Sequence, residues 1–139
     1  MPKIAHTAKD MITNMTPQLQ PGSYVFVSCD KTQAPALLPE AIASFQEAEG
    51  LSLILPCNVA ERHGLPSAPA MQCITLNVYS SLEGVGLTAA VAAALGEAGI
   101  ACNMVAAFHH DHVFVPETDS HRALAKLREL QNQATSKAD

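Results

Sequence analysis

Two short segments carry the residue types that could do chemistry. The first is His109-His110-Asp111-His112. Imidazole nitrogens and carboxylates are common zinc donors, and His110 and His112 would point the same way on a β-hairpin. Alternation turns Asp111 to the opposite face, and no fourth donor lies nearby in sequence. The run is therefore read as a solvated turn whose aspartate supports the backbone. A metal-binding protein or metal-assisted enzyme built on residues 109–112 is the alternative. The second segment, Gly84-Val85-Gly86-Leu87-Thr88-Ala89, matches the G-x-G-x-x-G/A spacing of dinucleotide-binding loops. Dinucleotide binding is rejected on three grounds. Loop residues precede the first glycine where a nucleotide-binding turn is tight, no acidic residue lies between Ala98 and His110, and a hairpin follows in place of a second crossover helix. What survives is an anion site, because amides at a helix start with little side-chain cover suit a carboxylate. The glycines alone are more simply read as residues that permit the turn. No G-x-S-x-G or comparable nucleophile signature occurs, so no catalytic residue, metal ligand or cofactor is assigned.

The elements that must hold these segments are clearest in the second half. Met71–Tyr79 alternates Ile74, Leu76 and Val78 against Cys73, Thr75 and Asn77, a strand with one apolar face. Ser80–Gly86 is a loop. Leu87–Ala98 repeats apolar residues at helical intervals and stops at Gly99. Strands are expected at Ile100–Phe108 and His112–Pro116, joined by a tight hairpin, and a final helix at Thr118–Gln131. The order β-α-β-β-α is one strand short of a ferredoxin-like unit. The polar residues 132–139 follow as a tail without alternation. The missing strand must come from residues 24–29, from 42–55 or from another subunit.

The first half is less regular. Thr7 and Asp10 have capping-box spacing ahead of a short helix that ends before Pro17. Tyr24–Cys29 and Leu51–Leu55 read as strands, and Cys57–His63 as a short helix closed by Gly64. Residues 37–50 suit either a helix between Pro39 and Gly50 or a hairpin strand at Ile42–Glu47. The segment Leu65–Ala70 marks the boundary between the halves.

Composition excludes several classes. The 139 residues suffice for one domain or two small half-domains. A net charge of −5 with 4% aromatic residues supplies neither counter-charge nor stacking platform for nucleic acid. No apolar run approaches a membrane span, and the first residues lack the apolar core of a signal peptide. The four cysteines contain no C-x-x-C pair and are expected as buried thiols, Cys73 and Cys102 within strands. A cytoplasmic location is expected. The outer face of the helix 87–98 (Ala89, Ala92, Ala93 and Gly96) is nearly free of charge and would permit close approach by another helix, in this chain or in a partner.

With these residues in view, Ile74–Val78, the loop Leu82–Thr88, Leu95–Asn103 and Asp111–Pro116 with the helix that follows resemble an ACT domain, covering residues 71–130 almost without gaps. Residues 23–64 are similar to the partial ACT-like unit that precedes such a domain in small bacterial proteins and in the tandem-ACT arginine sensors. The resemblance implies an α+β, ferredoxin-like fold with residues 1–70 holding the N-terminal helix and partial unit, 71–131 the ACT domain and 132–139 the tail. It favours the hairpin at 37–50. It implies a stand-alone sensing or regulatory protein, not an enzyme, that binds a small molecule such as an amino acid at an interface between units and forms a homodimer. By the same resemblance the ligand loop is Ser80, Ser81, Glu83, Gly84, Val85, Gly86 and Leu87, with Asp111 facing the ligand. The Pro-Gly of the common Asp-x-Pro-Gly loop is Val85-Gly86 here. The ligand carboxylate is expected on the amides of Val85, Gly86 and Leu87, with Glu83 or Asp111 balancing its cationic group.

Overall fold

A computed structural model describes residues 4, 5, 7–79 and 82–136. In chain order the elements are α1 (Ala8–Thr13), β1 (Pro17–Leu19), β2 (Tyr24–Cys29), α2 (Ala34–Leu37), β3 (Ala43–Gln46), β4 (Leu51–Pro56) and α3 (Cys57–Arg62), then β5 (Met71–Leu76), α4 (Leu87–Glu97), β6 (Asn103–Ala106), β7 (Asp111–Pro116) and α5 (Ser120–Ser136). They form two compact units. One contains the described residues up to Pro21 together with those from Gln72 onward, and the other spans Gly22–Met71. The N-terminal helix thus packs with the C-terminal half, although the sequence places it next to the other.

The larger unit is a four-stranded sheet in the order β1-β5-β7-β6 with helices on one face. Ile74 and Leu76 of β5 and Val113 and Val115 of β7 meet α1, α4 and α5 through Met11, Val91, Leu95 and Leu127, all buried. This is the period-2 strand pattern meeting the period-3.6 helix pattern. The fold class read from the sequence is the one found, including a strand contributed from outside residues 71–139. The source of that strand differs from expectation. It is Pro17–Leu19, paired antiparallel with β5 as Pro17↔Leu76 and Leu19↔Ile74. Three residues are too few to show alternation, and Pro17 can sit at a strand start because its missing N–H is not needed there. Thr16 makes the reversal from α1 with a left-handed φ of 34°. The Asn77 side chain then fixes β1, donating to the Thr16 carbonyl at 3.2 Å and to Gln18 Oε1 at 3.0 Å.

Several boundaries also shift. β5 stops at Leu76 instead of Tyr79, β6 is only Asn103–Ala106, and β7 begins at Asp111, so the hairpin turn is residues 107–110, closed by Ala107 N–H to His110 C=O at 3.0 Å. Cys102 accordingly lies outside β6 and is half-buried, while Cys29 and Cys73 are buried; all four thiols are free. The final helix continues past Gln131 to Ser136. Its polar end is held by Gln131 Nε2 donating to the Thr13 carbonyl at 2.7 Å and by hydroxyls bonding back one turn.

The smaller unit has three strands in the order β3-β4-β2 and the same β-α-β-β-α sequence of elements. Val25, Leu53 and Leu55 pack on Leu37, Val59 and Ala60. Within residues 37–50 the hairpin strand is present as Ala43–Gln46, as the resemblance implied, and no helix runs from Pro39 to Gly50. Pro39 lies in a 3-10 turn, where its ring blocks continuation of α2. Among the described residues, no helix is long and apolar enough to cross a membrane.

Candidate functional site

The connection from β5 to α4 ends at Gly86, which caps the helix in a left-handed conformation (φ 110°). Gly86 brings no side chain of its own to cap α4, whose first amides have no partner within the helix. A Cβ on Gly86 would stand 2.5 Å from the Cβ of Ala8, the first residue of α1. Glycine is therefore required twice, by the backbone angle and by the close approach of α1. Leu87 is buried in the core, whereas Leu82 and Val85 are exposed.

Beside this loop, the end of β5 and the first turns of α1 enclose a cleft of about 370 Å³, lined by Ala5, Asp10, Asn14, Asn77, Val78 and Tyr79. Thr7 caps α1 by accepting from the Asp10 amide at 3.1 Å, as the capping spacing predicts, and this places the Asp10 carboxylate in the first turn. Ala5 N–H donates to the Tyr79 carbonyl at 2.8 Å and closes the cleft on that side. The chemistry gathered here is one carboxylate, two side-chain amides and a phenol. Ala8 touches Gly86, and Asp10 lies two residues further along the same helix. The carboxylate of Asp10 belongs to the cleft, and the approach to Gly86 is made by Ala8.

The residues assigned to the site from sequence fall into three groups. Glu83, Gly84, Val85, Gly86 and Leu87 lie together on the loop and helix start. Asp111 is half-buried as the first residue of β7, opposite Ala106, and is not among the residues lining the cleft. Ser80 and Ser81 lie outside the described residues. Sequence reasoning missed Asp10, Asn14, Asn77 and Tyr79. The available signal was Asn77-Val78-Tyr79 at the carboxyl end of a strand, where ligands of open sheets gather.

The histidine run is engaged with β5. The Nδ1 of His110 donates to the Val78 carbonyl at 3.1 Å, and Nδ1 of His112 meets the Thr75 hydroxyl at 3.0 Å. Gln20 Nε2 donates to that hydroxyl, also at 3.0 Å. Burial lowers the pKa of His112 from the ordinary imidazole value, His110 lowers it further, and Asp111 works against both. Cys73 Sγ lies 4.0 Å from the same nitrogen, and burial raises its pKa, so the pair offers no thiolate nucleophile at neutral pH. Among the described residues, no three His, Cys, Asp or Glu side chains converge as a metal site would require. Tyr79 packs on His110 at a ring separation of 4.8 Å and edge-on to His109 at 6.0 Å, so the hairpin tip rests on the rim of the cleft.

The smaller unit builds its β2–α2 loop differently. Oδ1 of Asp30 accepts from the amides of Thr32 and Gln33 at 2.9 and 3.0 Å and from the Thr32 hydroxyl at 2.6 Å. Gln33 Oε1 returns a bond from the Asp30 amide at 3.1 Å. These bonds, the Thr32 hydroxyl foremost, hold the Asp30 carboxyl below its usual value.

Comparison with known proteins places this geometry. Two ACT-domain family models match in tandem, over residues 8–72 and 71–129. A Vibrio cholerae protein of unknown function, described as a possible transport protein, is 41% identical over 86% of this chain and 93% of its own, with a TM-score of 0.77. An Agrobacterium tumefaciens protein shares the fold at 17% identity, covering 83% of this chain and 87% of that one, with a TM-score of 0.59. So does the regulatory subunit of aspartate kinase from Thermus flavus, at 10% identity over 82% of this chain and 95% of that one, with a TM-score of 0.55. No curated protein matches the sequence. ACT domains are regulatory units that bind small molecules. With both halves matched and the Vibrio relative aligned over most of its length, this chain belongs to the ACT-domain family.

Proposed function

We propose that this protein is a cytoplasmic, homodimeric amino-acid sensor without catalytic activity of its own. The observation that carries the reading is the uncapped start of α4 next to the Asp10 cleft. A free amino acid has one carboxylate and one ammonium group at short separation. The amides of Val85, Gly86 and Leu87 offer donors and a favourable helix dipole to the carboxylate. Asp10 offers the ammonium a charge-assisted partner, and Glu83 and Asp111 add negative charge to the same unit. That balance suits zwitterionic or cationic amino acids and disfavours dicarboxylates.

A thermal-shift screen of the full chain against each amino acid, with and without chelator, tests this. A ligand that binds only the native state stabilises it by about 2.7 kcal/mol at a hundredfold excess over its dissociation constant. One or a few amino acids should raise Tm, and chelator should not matter. If no amino acid moves Tm at millimolar concentration, the reading fails. If chelator alone lowers Tm, the histidine run holds a metal and the alternative is correct.

A further inference from the structure

We propose that the smaller unit holds a ligand site of its own, which takes a primary amine carrying an apolar body. The site is a cleft of about 640 Å³ between the β2–α2 connection and the turn of the β3–β4 hairpin, within the size range of small-molecule pockets. It exists because β2 and β4 are paired to their ends, with Cys29 opposite Leu51. The loop leaving one strand and the turn entering the other therefore stand side by side. A Cβ on Gly50 would lie 3.0 Å from the Cys29 carbonyl oxygen, so the turn rests on the end of β2. The apolar part of the lining is continuous with the core. Ala34 and Leu51 pack on the buried cluster of Val25, Leu37 and Leu53, and Leu38 leaves 46% of its surface exposed at the cleft.

An apolar lining alone would admit any molecule with an apolar body, and the charged rim selects among them. Asp30, Glu47 and Glu49 line the cleft against a single ammonium, that of Lys31. Among the described residues none of these four forms an ion pair. Two of the carboxylates are held in place. Glu47 accepts from the Ser52 hydroxyl, and Oδ1 of Asp30 accepts from the Thr32 hydroxyl and from the amides of Thr32 and Gln33. Oδ2 of Asp30 accepts from none of the described residues. An ammonium group that meets it gains a charge-assisted bond to a side chain already ordered by the fold. The same three bonds turn anions away, because they occupy the amides that a carboxylate would need. An entering carboxylate would find Lys31 as its partner and three like charges around it. Selection in this cleft thus runs opposite to that at the start of α4.

Titration of the full chain with 2-phenylethylamine, followed by calorimetry and by NMR amide shifts, tests this. The amine should bind with a Kd of about 1 mM or below, and the shifts should gather at Asp30, Lys31 and residues 47–51. Phenylacetate has the same body with the opposite charge, and methylamine has the charge without the body. Each should bind at least about tenfold more weakly. Phenylalanine, which adds a carboxylate to the amine, should also shift these residues less than the amine does. Asp30→Asn should weaken amine binding about tenfold, and Glu49→Gln, at a side chain that no described bond ties to the fold, about threefold. Glu49→Gln decides the matter if Asp30→Asn disturbs the loop. Glu129→Gln removes an exposed charge from α5 and should change nothing. The proposal is overturned if the amine does not bind at 10-fold the expected Kd, or if its shifts fall in the larger unit. It is equally overturned if phenylacetate or phenylalanine matches the amine in this cleft, or if neither Asp30→Asn nor Glu49→Gln weakens binding.

Discussion

In the smaller unit the turn from β2 into α2 is filled from within, because the Asp30 carboxylate occupies the amides of Thr32 and Gln33. In the larger unit the turn from β5 into α4 ends on Gly86, which brings no side chain to the helix start. Both units run β-α-β-β-α, so the two turns stand at equivalent places in the fold. The difference is where the anion comes from. A turn that supplies its own carboxylate has its donors satisfied and gains little from a ligand. A turn that leaves its amides open retains an electrostatic demand that only an outside anion meets. The smaller unit thus brings its own carboxylate to this turn, whereas the larger unit enters its helix on a glycine.

The largest effect is expected from covering the open turn. Gly86→Ala introduces a Cβ at φ 110° and 2.5 Å from the Ala8 Cβ. Backbone strain and steric conflict together should cost roughly 2–4 kcal/mol, a drop in Tm of about 10 °C. Thermal denaturation measures this directly. Combining it with Ala8→Gly should restore roughly half, because the conflict is removed and the backbone strain stays. A Tm within a degree of wild type would mean that α1 does not press on this turn.

A smaller effect, confined to binding, should follow Asp10→Asn. The side chain is exposed, and its amide, not its carboxylate, is what Thr7 caps, so folding stability should move by no more than about 0.5 kcal/mol. Ligand affinity measured by calorimetry should fall about 10- to 100-fold, the worth of one charge-assisted contact. Asp111→Asn is the control within the same comparison, since Asp111 lies away from the cleft lining. An equal loss there would move the ammonium partner to the hairpin. A loss only there would remove Asp10 from the site.

Much of the fold was legible because it rests on periodicity. Ile74 and Leu76, and Val91 and Leu95, repeat at the spacings of a half-buried strand and a helix, and both segments formed where those spacings put them. β1 was not legible, since three residues carry no period and its pairing with β5 is set by Asn77, some 60 positions away. The site divides the same way. Gly84 and Gly86 are visible as a local pattern, but nothing local reveals that Ala8 must lie against Gly86. Asp10 has the spacing of a capping-box acid and gives the cap its amide, and its place beside the end of β5 exists only once α1 packs. Asp111 is assigned through family likeness alone, because no local pattern in the sequence relates it to the loop 82–88.

The smallest effect concerns the closed turn and is read in its pH dependence. The folded state holds the Asp30 carboxyl below its ordinary value of 3.8. The unfolded chain therefore takes up the proton first on acidification, so the stability that Asp30 contributes is complete above about pH 4 and is lost as pH falls through the depressed folded value. Asp30→Asn keeps an oxygen acceptor for Thr32 and Gln33 but removes the charge. Its Tm should lie slightly below wild type at pH 7 and approach it as the pH falls through the depressed folded value, with the residual gap set by how well the amide replaces the carboxylate. Small anions added to this variant also sharpen the contrast between the two turns. If the amides of Thr32 and Gln33 regain a demand once Asp30 is neutral, formate or acetate should raise its Tm while leaving wild-type stability in this unit unchanged. A variant whose Tm is offset equally at pH 3 and pH 7, and that ignores added carboxylate, would show that the Asp30 charge does not satisfy this turn.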